Sequence, residues 1–170
     1  SIILIIQGTL AYHTAFWVQV LAFAIGLFCW SLAEYLLHRF LFHAEPRSAT
    51  GQRMVYLLHG IHHAQPMVKT RLVMPLPVSI PMAVIFYALF YLILAVLLSI
   101  PWWVNPFMSG FIIGYVTYDL THYALHHAKS KWGYFNTLRR THLHHHTGLP
   151  VRSFGVSSPL WDYVFGTLAR

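Results

Sequence analysis

The sequence predicts an all-α integral membrane protein with three to four transmembrane helices. Hydrophobic residues make up 57% of its 170 residues, charged residues make up only 9%, and the mean hydropathy is +0.56. Long stretches carry almost no charge, and the eleven Lys and Arg residues are confined to two segments. Only structures that pair all their backbone polar groups can cross a bilayer, and stretches of this length favour helices.

The predicted crossings follow one another along the chain. Residues 2–12 are too short to span a bilayer alone, and we interpret them as the remainder of a truncated first crossing or as an interfacial segment. Residues 15–37 carry one charge, Glu34, and residues 79–100 carry none. Residues 106–126 are uncharged except for Asp119. Each of these three stretches has about the 20 residues that a helix needs to cross a bilayer core.

The positions of the basic residues predict the orientation of the crossings. All Lys and Arg residues lie in 39–71 or 129–170, and the connection PWWVNP at 101–106 has none. The positive-inside rule therefore places 38–71 and 127–170 in the cytosol. We expect one membrane-embedded domain over 1–170, in a bacterial inner membrane or the endoplasmic reticulum. The net charge of +7 suits anionic lipid headgroups and does not indicate nucleic-acid binding.

Ten of the thirteen histidines fall into four spaced boxes, a pattern that indicates metal binding. A helix brings positions i, i+3 and i+4 to one face, so an HxxHH box can present three ligands together. An ion uses roughly four to six donors, so ten histidines predict two ions with positions open for oxygen or substrate. Imidazole ligands suit iron, copper or zinc. The predicted ligands are His38, His43, His59, His62, His63, His122, His126, His142, His145 and His146.

Three other histidines are excluded from the predicted ligand set. His13 stands alone, and His127 and His144 adjoin boxes but break their helical spacing. Among the four carboxylates, Asp119 precedes His122 by three residues and is expected to orient an imidazole or help to hold substrate. Glu34 is expected either to orient His38 or to pair with Arg39, while Asp162 and Glu45 are expected to be structural.

The remaining composition excludes several kinds of chemistry. Cys29 is the only cysteine, so an internal disulfide and a cysteine-ligated iron–sulfur cluster are excluded. The chain carries no glycine-rich phosphate loop, no GxSxG elbow and no nucleotide fingerprint. Electrons for any redox reaction must therefore come from a partner protein.

Six segments resemble the fatty acid hydroxylase (sterol desaturase) superfamily, and most closely the catalytic domain of the fatty acid 2-hydroxylases. They are EYLLHRFLFH at 34–43, LHGIHHAQP at 58–66, RLVMPLP at 71–77, GYVTYDLTHYALH at 114–126, THLHHH at 141–146 and SFGVSSPLWDYVFGTL at 153–168. The resemblance implies a four-helix membrane anchor under a cytosolic helical cap, with a dimetal centre held by the ten boxed histidines. It also implies that Tyr118 and Asp119 are neighbours of the metals on the substrate side.

The resemblance further implies oxygen-dependent hydroxylation at C2 of a fatty acyl chain, either a free fatty acid or the acyl chain of a sphingolipid. Two iron ions would serve the reaction, and zinc can replace them in purified protein because zinc generally binds such sites more tightly than Fe²⁺. The electron donor would be external, a b-type cytochrome or a ferredoxin with its reductase. The oligomeric state does not follow from the sequence.

Alternative functions share parts of the same pattern. A sterol or carotenoid hydroxylase and an acyl-lipid desaturase use the same histidine boxes, and spacing alone does not separate a desaturase from a hydroxylase. A membrane metal transporter would normally place ligands in mid-membrane along a conduction path. Here the boxes gather beside the basic segments, which favours an enzyme.

Overall fold

The computed structural model describes residues 15–147 and 151–169, and every regular element within these ranges is a helix. The predicted segment 2–12 lies outside the described residues. Seven α-helices lie within the described ranges: α1 Phe16–Leu36, α2 Ala49–Val55, α3 Ile61–Ala64, α4 Leu76–Phe90, α5 Val104–His127, α6 Gly133–Thr147 and α7 Leu160–Val164. The all-α prediction is confirmed for this part of the chain.

Short irregular helices join or extend these elements. Three π-helical segments, Leu37–Phe42, Tyr56–Gly60 and Tyr91–Leu97, continue α1, α2 and α4 without a break. Two 3₁₀ turns, Lys69–Arg71 and Pro101–Trp103, precede α4 and α5. A π-helical segment changes which side chains share a helix face, and such segments are frequent at functional sites.

The chain divides into two compact units, described separately here. Among the described residues, the first unit comprises 15–30 and 75–116. The second unit comprises 31–74 together with 117–147 and 151–169. All ten boxed histidines belong to the second unit. The single domain predicted over 1–170 stays a prediction.

Small residues allow two helices of the first unit to approach closely. A Cβ atom added to Gly26 of α1 would lie 1.9 Å from the backbone oxygen of Phe107, and one added to Gly110 of α5 would lie 2.0 Å from that of Phe23. Both distances are far below van der Waals contact, so α1 and α5 touch backbone to backbone at these positions. Small residues serve this purpose between membrane helices.

Two helical stretches are long and apolar enough to cross a membrane. They run over Phe16–Phe42 and Lys69–Leu97, with 27 and 29 residues. These stretches overlap the crossings predicted at 15–37 and 79–100. The crossing predicted at 106–126 lies within the 24-residue helix α5 and stays a prediction.

Candidate metal centre

The ten boxed histidines gather into two groups of five. Within each group, one ring nitrogen from every histidine lies within 4.8 Å of the corresponding nitrogens of the others. The first histidine group is His38, His43, His59, His63 and His145. The second histidine group is His62, His122, His126, His142 and His146. The sequence prediction that these ten residues come together around two centres agrees with this geometry.

The Nε2 atoms of neighbouring histidines face one another within each group. In the first group, the Nε2 atoms of His59 and His38 are 3.1 Å apart, and those of His59 and His63 are 3.0 Å apart. The second group contains a longer series of such pairs. The distances there are 2.9 Å for His122 and His62, 3.0 Å for His62 and His146, 3.1 Å for His146 and His142, and 2.8 Å for His142 and His126.

Each HxxHH box is divided between the two groups. One box runs from the π-helical segment Tyr56–Gly60 into helix α3. In this box His59 and His63 belong to the first group, and His62 belongs to the second. In the box on α6, the second and third histidines of the motif, His145 and His146, also separate. Positions i and i+4 share a centre, and position i+3 faces the other. The expectation that one box presents its three ligands together is therefore wrong.

A π-helical segment brings the widely spaced pair of the first box to one centre. His38 lies in the segment Leu37–Phe42, and the backbone N–H of His43 bonds the carbonyl of His38 at 3.2 Å. In an α-helix, two residues five positions apart point about 140° away from each other. The i to i+5 hydrogen bond of the π turn places the later residue above the earlier one.

Burial lowers the pKa of the boxed histidines that lie outside the long apolar helices, so these side chains are uncharged at neutral pH. It lowers the pKa of His62 and of His63 from 6.5 to about 3, with further lowering by the charges of neighbouring histidines. The pKa of His59 is lowered well below its ordinary value, first by burial and then by His38. A neutral imidazole has a lone pair to give to a metal, so these side chains are ready to ligate at neutral pH.

Two imidazoles of the first group are oriented by backbone carbonyls. The Nδ1–H of His38 donates to the carbonyl of Phe154 at 2.5 Å, and that of His145 donates to the carbonyl of Arg152 at 2.8 Å. Because a carbonyl only accepts, the proton sits on Nδ1 and the lone pair on Nε2 faces the group. This arrangement of an outer hydrogen bond on a histidine is typical of metal sites.

The carboxylate of Glu34 binds residues 156 and 157 and does not bind a histidine. Its Oε1 accepts hydrogen bonds from the backbone N–H groups of Val156 and Ser157, at 2.7 and 2.8 Å, and its Oε2 accepts one from the Ser157 hydroxyl. Arg39 donates to the hydroxyl of Tyr35 at 2.7 Å. Both roles predicted for Glu34, orienting His38 and pairing with Arg39, are wrong.

Asp162 has the structural role that the sequence predicts. Its side chain is fully buried and accepts hydrogen bonds from the backbone N–H groups of Phe154 and Gly155, at 2.9 and 2.7 Å. The hydroxyl of Thr167 donates to the same carboxylate at 2.7 Å. Asp162 therefore connects residues 154 and 155 with Thr167.

Tyr118 lies next to the second histidine group, and the carboxylate of Asp119 contacts the backbone before α4. The ring of Tyr118 is buried, and its centroid lies 5.8 Å from that of His122. The carboxylate of Asp119 accepts a hydrogen bond from the backbone N–H of Met74 at 3.4 Å. The catalytic roles predicted for both residues stay predictions.

Two of the three excluded histidines lie outside both groups. His127 packs against the ring of Tyr123 with centroids 4.8 Å apart, and His144 is exposed. His13 lies outside the described residues. Sequence reasoning missed the carbonyls of Arg152 and Phe154, which orient two histidines. Every residue carries a backbone carbonyl, so no side-chain pattern could have indicated these two. The resemblance had marked the segment 153–168, but it gave that segment no role.

In the part of the chain that the structure describes, fold and site together define a helical protein with two five-histidine groups and two helices long enough to cross a membrane. The chain belongs to the fatty acid hydroxylase family, since residues 23–167 match the family model described as "Fatty acid hydroxylase". The resemblance inferred from the motifs is confirmed.

Curated relatives carry hydroxylase names. "Dihydroceramide fatty acyl 2-hydroxylase FAH1" of Arabidopsis thaliana is 41% identical over 85% of this chain and 59% of its own length. "Ceramide very long chain fatty acid hydroxylase SCS7" of Saccharomyces cerevisiae is 41% identical over 85% of this chain and 37% of its own length. The human "Fatty acid 2-hydroxylase" is 41% identical over 86% of this chain and 39% of its own length. The chain spans three-fifths or less of these relatives.

A solved structure has the same fold. The chain described as "Full length scs7p (only hydroxylase domain visible)" superposes with a TM-score of 0.87 and 36% sequence identity. The match covers 99% of this chain and 63% of that chain.

Proposed function

We propose that the two histidine groups each bind one iron ion and that the protein hydroxylates C2 of a fatty acyl chain with O₂. The observation that carries the proposal is the convergence of ten Nε2 atoms into two groups of five, in a member of the fatty acid hydroxylase family. When bound, the iron pair supplies the activation of O₂ that an unactivated C–H bond requires.

A cation fits the second histidine group better than hydrogen bonds do. Three consecutive members, His62, His146 and His142, each face two other Nε2 atoms. An imidazole Nε2 carries either one hydrogen or one lone pair, so a single nitrogen cannot complete two good hydrogen bonds. A positive ion between lone pairs satisfies every contact at once.

The spacing of the nearest nitrogens suits an ion with more than four ligands. Two nitrogens about 2.1 Å from one ion lie about 3.0 Å apart at a right angle and about 3.4 Å apart at the tetrahedral angle. The facing Nε2 atoms lie 2.8 to 3.1 Å apart. Right angles are typical of ions with five or six ligands, and the five histidines of each group would hold such an ion and would leave a sixth position for the activation of O₂.

The names of the relatives support an acyl substrate. The relatives above are named for 2-hydroxylation of fatty acyl chains and for hydroxylation of ceramide very long chain fatty acids. We assign the same substrate class here, an acyl chain that is free or amide-linked in a sphingolipid. Tyr118, which lies beside His122, and Asp119 are proposed to contact this substrate next to the metals.

The site is proposed to lie at the cytosolic face of a multi-pass membrane protein. Charge supports this orientation, because every Lys and Arg lies in 39–71 or 129–170, the segments that also carry or adjoin the histidine boxes. Helix α5 is proposed as a third crossing, within a four-helix anchor. An acyl chain can then reach the metals from the bilayer, and two electrons come from an external cytochrome or ferredoxin.

Lipid analysis of expressing cells tests the proposed function. The intact chain is compared with a His62→Ala, His63→Ala variant and with His144→Ala, whose exposed side chain lies outside both groups. We expect new 2-hydroxyacyl lipids with the intact chain and with His144→Ala, and none with the double variant. New double bonds or altered sterols without hydroxyacyl lipids would contradict the proposal and indicate a desaturase or a sterol-modifying enzyme.

A further inference from the structure

The C-terminal segment 152–157 contacts only one of the two histidine groups by hydrogen bonds to Nδ1. The carbonyls of Arg152 and Phe154 accept from His145 and His38, both of the first group. In the second group, the Nδ1 atoms are buried and have no hydrogen-bond partner among the described residues for four members: His62, His126, His142 and His146. The two groups are therefore supported differently by the protein.

Two buried carboxylates hold this segment in place. Asp162 accepts the N–H groups of Phe154 and Gly155, and Glu34 accepts those of the next two residues along the chain. Four successive backbone N–H groups, from 154 to 157, thus end on carboxylate oxygens. These bonds pair four successive backbone N–H groups with buried acceptors, so the segment is firmly fixed.

The backbone of the segment is strained where it meets the histidines. Ser153 lies between the two accepting carbonyls and has a φ of +62°, which is unfavourable for a residue with a side chain. A Cβ added to Gly155 would lie 2.1 Å from the carbonyl oxygen of Ser158 and 2.9 Å from Asp162 Oδ2. A positive φ such as that of Ser153 persists only when surrounding contacts enforce it. The carboxylates supply such contacts on residues 154–157, and Ser153 itself donates its N–H to the carbonyl of Thr167 and accepts from the N–H of Ala169.

We infer that Asp162 and Glu34 are positioning residues that act through the carbonyls of Arg152 and Phe154 to secure the metal of the first histidine group. The inference rests on the proposed function, because it needs metal in both groups. Removing either carboxylate frees the segment, lets the imidazoles of His38 and His145 rotate, and weakens the first centre. The second centre keeps its ligands and its metal.

The test counts metal ions in the purified full-length chain. Wild type, Asp162→Asn and Glu34→Ala are loaded with Zn²⁺ in detergent, exposed to graded EDTA, and assayed for zinc per chain by mass spectrometry. We expect one of the two ions to leave each variant at a roughly 10- to 100-fold lower EDTA concentration than in wild type, which is the usual effect of losing an outer hydrogen bond. The second ion stays at the wild-type level.

Two controls separate positioning from general damage. Glu45→Ala removes an exposed carboxylate and should match wild type, and Glu34→Gln keeps an Oε1 acceptor and should restore most of the retention. Combining Asp162→Asn with His43→Ala should cost no ion beyond the first. Combining it with His122→Ala should remove both, because independent sites add and shared sites do not.

Two results would overturn the inference while the proposed function stands: equal loss of both ions, or unchanged retention in Asp162→Asn and Glu34→Ala. If the harsher variants do not remain monodisperse, Glu34→Asp decides the question, because it draws the carboxylate back by one methylene: its first ion should leave at a lower EDTA concentration than in wild type while its second ion stays. A wild-type chain that binds fewer than two ions would contradict the proposed function instead.

Discussion

Adjacent histidines of one box have different partners, and this is the most informative feature at the residue scale. His62 faces His122 and His146, whereas His63 faces His59. Neighbouring positions on a helix point about 100° apart, so one helix can serve two centres. Six of the ten histidines come from boxes divided in this way, and the two centres are consequently held by shared helices.

This division predicts the outcome of single substitutions. His62→Ala should remove one ion of the pair and His63→Ala the other, because each deletes a nitrogen from a different group. Combining His62→Ala with His146→Ala should still leave one ion, whereas combining His62→Ala with His63→Ala should leave none. Metal content of the purified variants checks this. The pattern would be wrong if the adjacent pair lost only one ion, and His144→Ala is the matched control.

The contacts of helices α1 and α5 are the deciding feature at the element scale. Trp30 at the end of the first unit packs edge-on against Phe111, with ring centroids 5.1 Å apart. A Cβ added to Gly114, one turn further along α5, would lie 2.5 Å from the Trp30 side chain. The sequence Gly110-Phe-Ile-Ile-Gly114 thus places two small residues where α1 passes closely.

Substituting these glycines should loosen the first unit. Gly26→Ala and Gly110→Ala each force backbone against a methyl group, and such overpacking typically costs about 1–3 kcal/mol of unfolding free energy. The control is Gly133→Ala at the start of α6, where an added Cβ meets nothing within 4 Å. We expect lower melting temperatures in detergent for the first two variants and no loss for the control. An unchanged melting temperature in Gly110→Ala would contradict the close approach.

Acid sensitivity is a property of the whole molecule, because many buried histidines contribute to it together. Burial lowers the pKa of His62 and His63 to about 3, and it lowers those of His59 and His142 well below 6.5. In the unfolded chain these side chains regain ordinary pKa values near 6.5. Between the two values the unfolded chain binds more protons than the folded chain, so acid favours unfolding.

The free energy of unfolding should therefore be constant above about pH 7 and should fall as the pH drops from about 6.5 toward 4. Protons also compete with metal for the same nitrogens, so metal should leave over the same range. Melting temperature and metal content between pH 8 and pH 4.5 check this expectation. His144→Asn should show the wild-type profile. A stability that does not change between pH 7 and pH 5 would contradict it.

At the same scale, much of the protein was determined by the sequence itself. Apolar stretches predicted the long helices, because hydrophobic length and charge act locally along the chain. Imidazole spacing predicted two centres, since ten donors exceed what one ion uses. The motifs around the boxes predicted the family, which the match over residues 23–167 confirms.

Only the tertiary structure decided which histidines share a centre and what supports them. His43 meets His145 across 102 residues of sequence, with Nε2 atoms 3.0 Å apart, and Glu34 reaches Ser157 across 123 residues. Such pairings depend on how separate helices pack, and spacing within one helix carries no information about a partner helix. Backbone carbonyls are also identical in every residue, so their roles at Arg152 and Phe154 follow from position in space alone.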